Sequence, residues 1–161
     1  MRLLHGSNVE IQKIDLNLCK GHNDFGKGFY LTPSWQRAWE MGRRTRDKLG
    51  GQIIVNAYIF NPSQAKGLKI LTFKGFTIDW IRFIIKNREH KGLTHDYDIV
   101  IGPVADAVVD QEIVQYKREY GNEYLKDDNL IQLAHRINQF GLNYIQYCFC
   151  TEAALNLLYK D

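Results

Sequence analysis

The chain has 161 residues, of which 45% are hydrophobic and 24% charged, and this composition is ordinary for one globular domain with a substantial core. No apolar run is long enough to cross a bilayer and the N-terminus lacks the apolar stretch of a secretory signal, so we expect a cytoplasmic protein without membrane contacts. The net charge of +3 is too small to indicate a nucleic-acid partner by itself, and the 3 cysteines support neither a disulfide framework nor a metal site.

The chain is predicted to begin with a short strand. The segment over 2–5 is mainly apolar, and Gly6 and Ser7 are expected to close it. This leaves His5 at the carboxyl end of the strand, where a polar residue tends to face a cleft. Residues 8–23 are expected to be extended but irregular.

The stretch from Asp24 to Pro33 combines a turn, a strand and the approach to a helix. Gly26 and Gly28 can adopt backbone angles that are closed to other residues and can let a ligand approach the main chain. Tyr30 offers a flat face for stacking. This combination suits a planar, partly charged ligand such as nicotinamide. The alternative is a plain turn in which Tyr30 belongs to the core.

The rest of the chain is predicted to contain both helices and strands, in a mixed order. Thr32 and Pro33 are predicted as the cap and the first residue of a helix whose body extends over 34–49. The cationic run near its end is typical of a solvated last turn or, alternatively, of a phosphate contact, and it consists of Arg43, Arg44, Arg46 and Lys48. The later predicted elements are strands over 52–60, 68–73, 97–101 (broken by Gly102-Pro103) and 143–149, helices over 77–86, 107–120 and 128–140, a polar loop through His95, and a short helix capped by Thr151. This order indicates a single α+β domain over 1–161 and lacks the β-α-β alternation of a Rossmann domain.

Three separated segments together resemble the His-Tyr-Glu class of ADP-ribosyltransferases, as in diphtheria toxin and the poly(ADP-ribose) polymerases. The three segments are His5-Gly6-Ser7, Gly28-Phe29-Tyr30 and Tyr144-Ile145-Gln146-Tyr147. The chain is more closely similar to a bacterial family long catalogued only as a domain of unknown function that shares this fold. The further segments that carry the likeness are 24–32, Trp80 with Phe83 and Asn87-Arg88, 97–106, and Phe149 with Thr151 and Ala154-Leu155.

The resemblance implies an ADP-ribosyltransferase-like fold, with a split mixed β-sheet core and flanking helices. It also implies an enzyme that uses NAD as a substrate and needs no metal. By this likeness His5 holds a ribose, the backbone of Gly6 meets the carboxamide, and Tyr30 stacks on the nicotinamide. Ser7 and Gly28 adjoin these residues and are assigned to the same NAD site.

Gln146 stands where the toxins and polymerases have a catalytic glutamate. Glutamine keeps a hydrogen bond and loses a charge, a loss that can cost on the order of 3–4 kcal/mol of barrier. Asp24 and Glu152 are the candidate acids for replacing this charge. Alternatively, Asp24 fixes a turn and Glu152 interacts favourably with a helix dipole. Arg88 is predicted to bind the diphosphate or, alternatively, to lie on a helix-end surface.

The expected activity is mono-ADP-ribosylation of a macromolecule, either protein or nucleic acid. The resemblance implies a toxin-antitoxin or phage-defence effector, with an antitoxin protein as a further partner. The alternatives are an NAD glycohydrolase that uses the same site, a module that binds NAD or a partner without chemistry, and a purely structural protein.

Overall fold

The structure is a computed structural model that describes residues 1–90, 95–141 and 144–161. Its strands are β1 (Arg2–Ser7), β2 (Phe29–Leu31), β3 (Ile54–Phe60), β4 (Ile70–Thr72), β5 (Ile99–Pro103), β6 (Ile145–Phe149) and β7 (Leu158–Lys160). Its helices are α1 (Trp35–Leu49), α2 (Ile78–Glu89), α3 (Ala107–Tyr120), α4 (Asp127–Asn138) and α5 (Glu152–Leu155). The predicted α+β class is therefore confirmed. Within the described ranges, no helix combines the length and the apolar character that a membrane span requires.

The strands form two sheets. The first is antiparallel in the order β1-β3-β7, and the second has the order β2-β6-β5-β4, in which only β4 and β5 run parallel. The sheets meet at a pair of backbone hydrogen bonds. The N–H of Leu4 donates to the carbonyl of Thr32 at 2.8 Å, and the N–H of Thr32 donates to the carbonyl of Leu4 at 2.9 Å. This contact places β1 beside β2, so His5 and Tyr30 become neighbours although 25 residues separate them in the chain.

Two hydrophobic clusters hold the sheets and helices together. One joins the second sheet to α2, α3 and α4 and includes the fully buried Trp80 and Tyr116. The other contains Leu3, Phe60 and Phe149 from both sheets. Strand β2 contacts both clusters, since Tyr30 packs against the first and Phe29 and Leu31 belong to the second.

Helix α1 packs against β1 at a distance that only glycine allows. A Cβ on Gly6 would lie 1.7 Å from the carbonyl oxygen of Ala38 and 2.5 Å from the backbone nitrogen of Gly42. Neither atom can move without disrupting the helix. Gly6 is therefore required for packing, whatever it contributes to a ligand.

Two sequence predictions around β1 and α1 are wrong in detail. Gly6 and Ser7 do not close the first strand, because β1 continues through both residues and pairs them with β3. Thr32 is not the cap of α1 and Pro33 is not its first residue, because the helix begins at Trp35. The hydroxyl of Thr32 donates instead to the carbonyl of Ile145 at 2.9 Å. The cap is Ser34, whose Oγ accepts from the backbone N–H of Arg37 at 3.2 Å.

The second half of the chain shows one wrong break and one missed strand. Strand β5 runs through Gly102 and Pro103 without the predicted break, and Pro103 is tolerated because it is the last residue of the strand. Strand β7 was missed, since three residues are too few to show a periodicity. The polar loop over 91–94 and the predicted strand start at Asn143 lie outside the described residues.

Candidate functional site

A cleft of about 910 Å³ opens between β1, β2, the segment after β1 and one side of α1. Its volume is within the range of roughly 300–1,000 Å³ that small-molecule sites occupy. Most of the predicted site residues line it, namely His5, Gly6, Ser7, Asp24, Gly28, Tyr30 and Gln146. The structure therefore brings together residues from both ends of the chain. The two predicted site residues that do not line the cleft are Arg88 and Glu152.

His5 is held as a neutral imidazole with a defined tautomer. Its Nδ1 lies 2.7 Å from the carbonyl oxygen of Tyr30. Because a carbonyl only accepts, Nδ1 carries the proton and Nε2 keeps its lone pair. Burial lowers the pKa of His5 and outweighs the opposing effect of the hydrogen bond to Tyr30, so the ring is uncharged near neutral pH. Phe29 stacks on the imidazole with ring centroids 4.4 Å apart.

The hydroxyl of Tyr30 closes the turn that precedes its own strand. It donates to the carbonyl of Gly26 at 2.7 Å and accepts from the backbone N–H of Phe25 at 3.0 Å. Burial raises the pKa of Tyr30 well above its ordinary value, so this hydroxyl does not ionise near neutral pH. Tyr30 lines the cleft, but its ring also packs against the first hydrophobic cluster, with its centroid 6.5 Å from that of Phe25. Tyr30 therefore offers no acidic group to the cleft.

The two glycines of this turn are required for different reasons. Gly26 has a φ of +78°, as the sequence predicted for a backbone angle that disfavours other residues. Gly28 does not, so the prediction of a special backbone angle is wrong there. A Cβ on Gly28 would instead lie 2.4 Å from Sγ of Cys148 on β6.

Ser7 holds the chain where it leaves β1. Its hydroxyl oxygen accepts from the backbone N–H of Val9 at 3.4 Å, and the residue is buried. Ser7 therefore shapes the wall of the cleft.

Gln146 presents a carbonyl oxygen to the cleft. It is the second residue of β6, and its Nε2 donates to Oδ2 of Asp24 at 3.0 Å and to the carbonyl of Pro103 at 3.3 Å. The Pro103 carbonyl can only accept, so the amide nitrogen must face it. Both N–H groups of the amide are thereby used, and Oε1 remains as an acceptor.

Asp24 connects Gln146 to a cation behind it. Oδ1 accepts from Nε and Nη2 of Arg88 at 2.9 and 2.7 Å, and Oδ2 accepts from the backbone N–H of Ala105 at 3.3 Å. Arg88 also pairs with Asp110. Burial alone would lower the pKa of Arg88, but the two carboxylates outweigh it and raise that pKa. Asp24 is thus a carboxylate with a fixed orientation, 3.0 Å from the amide nitrogen of Gln146.

Arg88 and Glu152 are not where the sequence interpretation needs them. The guanidinium of Arg88 is directed at Asp24 and Asp110, so its predicted contact with a diphosphate is replaced by an ion-pair network. Glu152 is the exposed first residue of α5, which follows the end of β6 opposite to Gln146. Of the two acids predicted to compensate for Gln146, only Asp24 is in contact with it.

One wall of the cleft was not predicted. Six residues of α1 line it, namely Arg37, Ala38, Met41, Arg44, Thr45 and Leu49. We call four of them the α1 wall: Arg37, Met41, Arg44 and Thr45. Their spacing of four, three and one residues along a helix is the available signal. The predicted arginine run includes Arg44 but not Arg37, and its other members do not line the cleft.

Comparison with known proteins places the chain in a family without an assigned activity. Residues 1–159 match the model of a family described as "Protein of unknown function (DUF3990)". No curated protein and no solved structure matches the chain. The expectation of a family catalogued as a domain of unknown function is confirmed at that level.

Proposed function

The chain belongs to the DUF3990 family, and we propose that it is an NAD-dependent mono-ADP-ribosyltransferase. The single observation that supports this most strongly is that His5, Tyr30 and Gln146 line one cleft although they come from three separate strands. These are the residues on which the likeness to the His-Tyr-Glu class rests. The two-sheet α+β architecture is compatible with an ADP-ribosyltransferase-like fold.

Each of the three residues offers a group that suits part of NAD. The lone pair on Nε2 of His5 can accept from a ribose hydroxyl, because the other ring nitrogen is held by the Tyr30 carbonyl. The ring of Tyr30 can stack on nicotinamide, with a contribution of roughly 0.5–1.5 kcal/mol beyond the area buried. Oε1 of Gln146 can accept from a hydroxyl of the second ribose.

The reaction breaks the bond between C1′ of that ribose and the nicotinamide nitrogen. The electron pair leaves with nicotinamide, positive charge develops on the ribose, and a nucleophile of the acceptor then attacks C1′ and loses its proton. A glutamate would place a full negative charge beside the developing cation. Here Oε1 of Gln146 supplies a partial charge, and Asp24 increases it because it accepts from the same amide at 3.0 Å.

In this proposal Asp24 is a positioning residue and Arg88 positions Asp24. Gln146 is expected to support the transfer of one ADP-ribose and not the elongation of a polymer, since elongation needs a carboxylate to activate the acceptor hydroxyl. We propose that the acceptor is a protein or nucleic acid in the cytoplasm, and that the biological setting is a toxin-antitoxin or phage-defence system. The resemblance is what supports that setting.

The test is transfer of label from NAD to the protein and nucleic-acid fractions of a cell lysate. The wild-type protein should form labelled adducts that His5→Ala and Tyr30→Ala abolish. Glu152→Ala is the matched control because Glu152 is exposed outside the cleft, and it should keep the wild-type rate.

Two results would replace this function by one of its alternatives. Release of nicotinamide and ADP-ribose with no labelled acceptor would identify water as the acceptor and the protein as an NAD glycohydrolase. Binding of NAD in calorimetry without any turnover would identify a binding module. If the folded protein neither binds nor consumes NAD, the proposed function is wrong.

A further inference from the structure

The α1 wall carries cations that the chemistry proposed for His5, Tyr30 and Gln146 does not use. The side chain of Arg37 is only 13% exposed, and its Nη1 is 3.6 Å from Oε2 of Glu40, at the outer limit of an ion pair. Arg44 is exposed, and no ion pair joins it to any residue of the described ranges. Positions 37 and 44 lie two turns apart on the same side of the helix, with Met41 between them.

Four cationic and three acidic residues line the cleft. The cationic residues among them are Lys13, Lys20, Arg37 and Arg44, and the acidic residues are Glu10, Asp15 and Asp24. Glu10 is paired with Lys160 at 2.6 Å and Asp24 with Arg88 at 2.7 Å, and neither of those cations lines the cleft. Two of the carboxylates are therefore already paired from outside, and Arg37 is likewise within 3.6 Å of Glu40 outside the cleft. Lys13, Lys20 and Arg44 then remain against Asp15. The remaining balance favours an anionic ligand.

The α1 wall begins beside the part of the cleft that contains Gln146. Cζ of Arg37 is 5.9 Å from the centroid of the Tyr144 ring, and Tyr144 precedes Gln146 by two residues. From Arg37 the wall extends for two turns, or about 10 Å, to Arg44. A dinucleotide whose ribose contacts Gln146 would bring its diphosphate alongside this wall, because the diphosphate joins the two ribose groups.

We propose that Arg37 and Arg44 bind the diphosphate of the dinucleotide from the two sides of Met41. This assignment rests on the proposed function and adds to it the residues that select a ligand with phosphates over the bare nucleoside. Guanidinium groups suit the role because they donate paired N–H bonds to phosphate oxygens. Arg88, the arginine that the sequence suggested for this contact, is already occupied by Asp24 and Asp110.

The test compares Arg44→Gln with Arg43→Gln by calorimetry. Arg43 is the matched control because it adjoins Arg44 on the same helix, is also exposed, and does not line the cleft. Arg44→Gln should weaken the binding of NAD and of ADP-ribose by about tenfold, as expected for loss of one charge-assisted hydrogen bond. It should leave the affinity for nicotinamide riboside, which has no phosphate, unchanged. Arg43→Gln should change none of the three affinities.

The outcomes separate this inference from the function on which it rests. If Arg44→Gln and wild type bind NAD and ADP-ribose equally well, the diphosphate assignment is wrong and the proposed function stands. If wild type binds inorganic pyrophosphate through Arg44 but does not bind NAD, the anion site is supported and the proposed function is wrong. If a single-stranded oligonucleotide binds through Arg44 and ADP-ribose does not, the wall serves a nucleic acid and the diphosphate assignment is overturned. Equal thermal unfolding of the two variants shows that neither result comes from misfolding.

Discussion

The two sides of the cleft differ in how firmly their charged groups are held. On the strand side, which we define as His5, Asp24, Tyr30 and Gln146, the polar side-chain groups bond to the protein itself. On the α1 wall, Thr45 donates to the carbonyl of Met41 at 2.9 Å and Arg37 lies 3.6 Å from Glu40. The guanidinium of Arg44, in contrast, is exposed and has no ion pair to any described residue. The strand side can therefore orient a reacting group, because its atoms have fixed directions. The α1 wall can attract an anion and adjust to it, and this adds affinity more than orientation.

The largest effect should follow from breaking the ion pair behind the strand side. Asp24→Ala removes the acceptor of four hydrogen bonds, two from Arg88 and one each from Ala105 and Gln146. It leaves Arg88 paired with Asp110 alone. The side chains of Asp24 and Arg88 are only 14% and 26% exposed, so solvent cannot fully replace the bond. We expect the free energy of unfolding to fall by about 2–4 kcal/mol in urea denaturation.

Activity should be lost together with that stability. The control is Arg2→Ala, which removes a pair with Asp161 whose side chains are 59% and 40% exposed. It should cost at most about 1 kcal/mol. Equal losses in the two variants would contradict a structural distinction between the strand side and the surface.

A charge placed on the strand side should reduce activity instead of restoring it. Gln146→Glu makes the residue resemble the catalytic glutamate of the toxins, yet it would point a carboxylate at Asp24 and at the carbonyl of Pro103. The new carboxylate, the carboxylate of Asp24 and the carbonyl of Pro103 would then be three acceptors in contact, with no donor among them. We expect the transfer rate to fall by about tenfold or more, because an unsatisfied polar group costs roughly 1–3 kcal/mol.

The double variant Asp24→Asn with Gln146→Glu restores one donor between positions 24 and 146. It should recover part of the rate lost in Gln146→Glu, and a double-mutant cycle measures the coupling. A Gln146→Glu enzyme that is faster than wild type would show that Asp24 does not serve Gln146 in the way proposed.

The two parts of Tyr30 should separate cleanly. Tyr30→Phe keeps the ring and removes the hydroxyl that bonds Gly26 and Phe25, so it should lower the free energy of unfolding by about 1–2 kcal/mol. Its NAD affinity should stay within about twofold of wild type, since stacking depends on the ring face. Denaturation and calorimetry on the same samples check both values. A large loss of affinity in Tyr30→Phe would assign the ligand contact to the hydroxyl.

The neutral state of His5 makes stability depend on pH. Burial lowers the folded-state pKa of His5 below its ordinary value of 6.5, so the unfolded chain binds its proton first as the pH falls. The unfolded state is thereby favoured below about pH 6.5, and the penalty grows until the pH reaches the folded-state pKa. The difference in unfolding free energy between wild type and His5→Gln should therefore shift against wild type between pH 7.5 and 5.5. A difference that is constant over this range would mean that the folded and unfolded pKa values of His5 are equal.

Local signals in the sequence were sufficient for elements that depend on near neighbours. Helix α3 was predicted with its observed ends, and Thr151 caps α5 as predicted, because caps and helical periodicity involve residues within a few positions. The contacts that define the site are different. Asp24 meets Gln146 across 122 positions and Arg88 across 64, and no spacing rule encodes either pairing. The candidates could therefore be named, but their partners could not.

The smallest effect is expected at Glu152, and it tests whether an acid outside the cleft contributes to the reaction. Glu152→Gln removes a charge from the first turn of α5, where it interacts favourably with the helix dipole. Because the residue is exposed, we expect a loss of at most about 0.5 kcal/mol in stability and no change in the transfer rate. Asp24→Asn, which also neutralises one predicted acid, should reduce the rate because it weakens the acceptor for Gln146. If Glu152→Gln reduced the rate and Asp24→Asn did not, the compensating charge would come from Glu152, beyond β6, and not from Asp24 on the strand side.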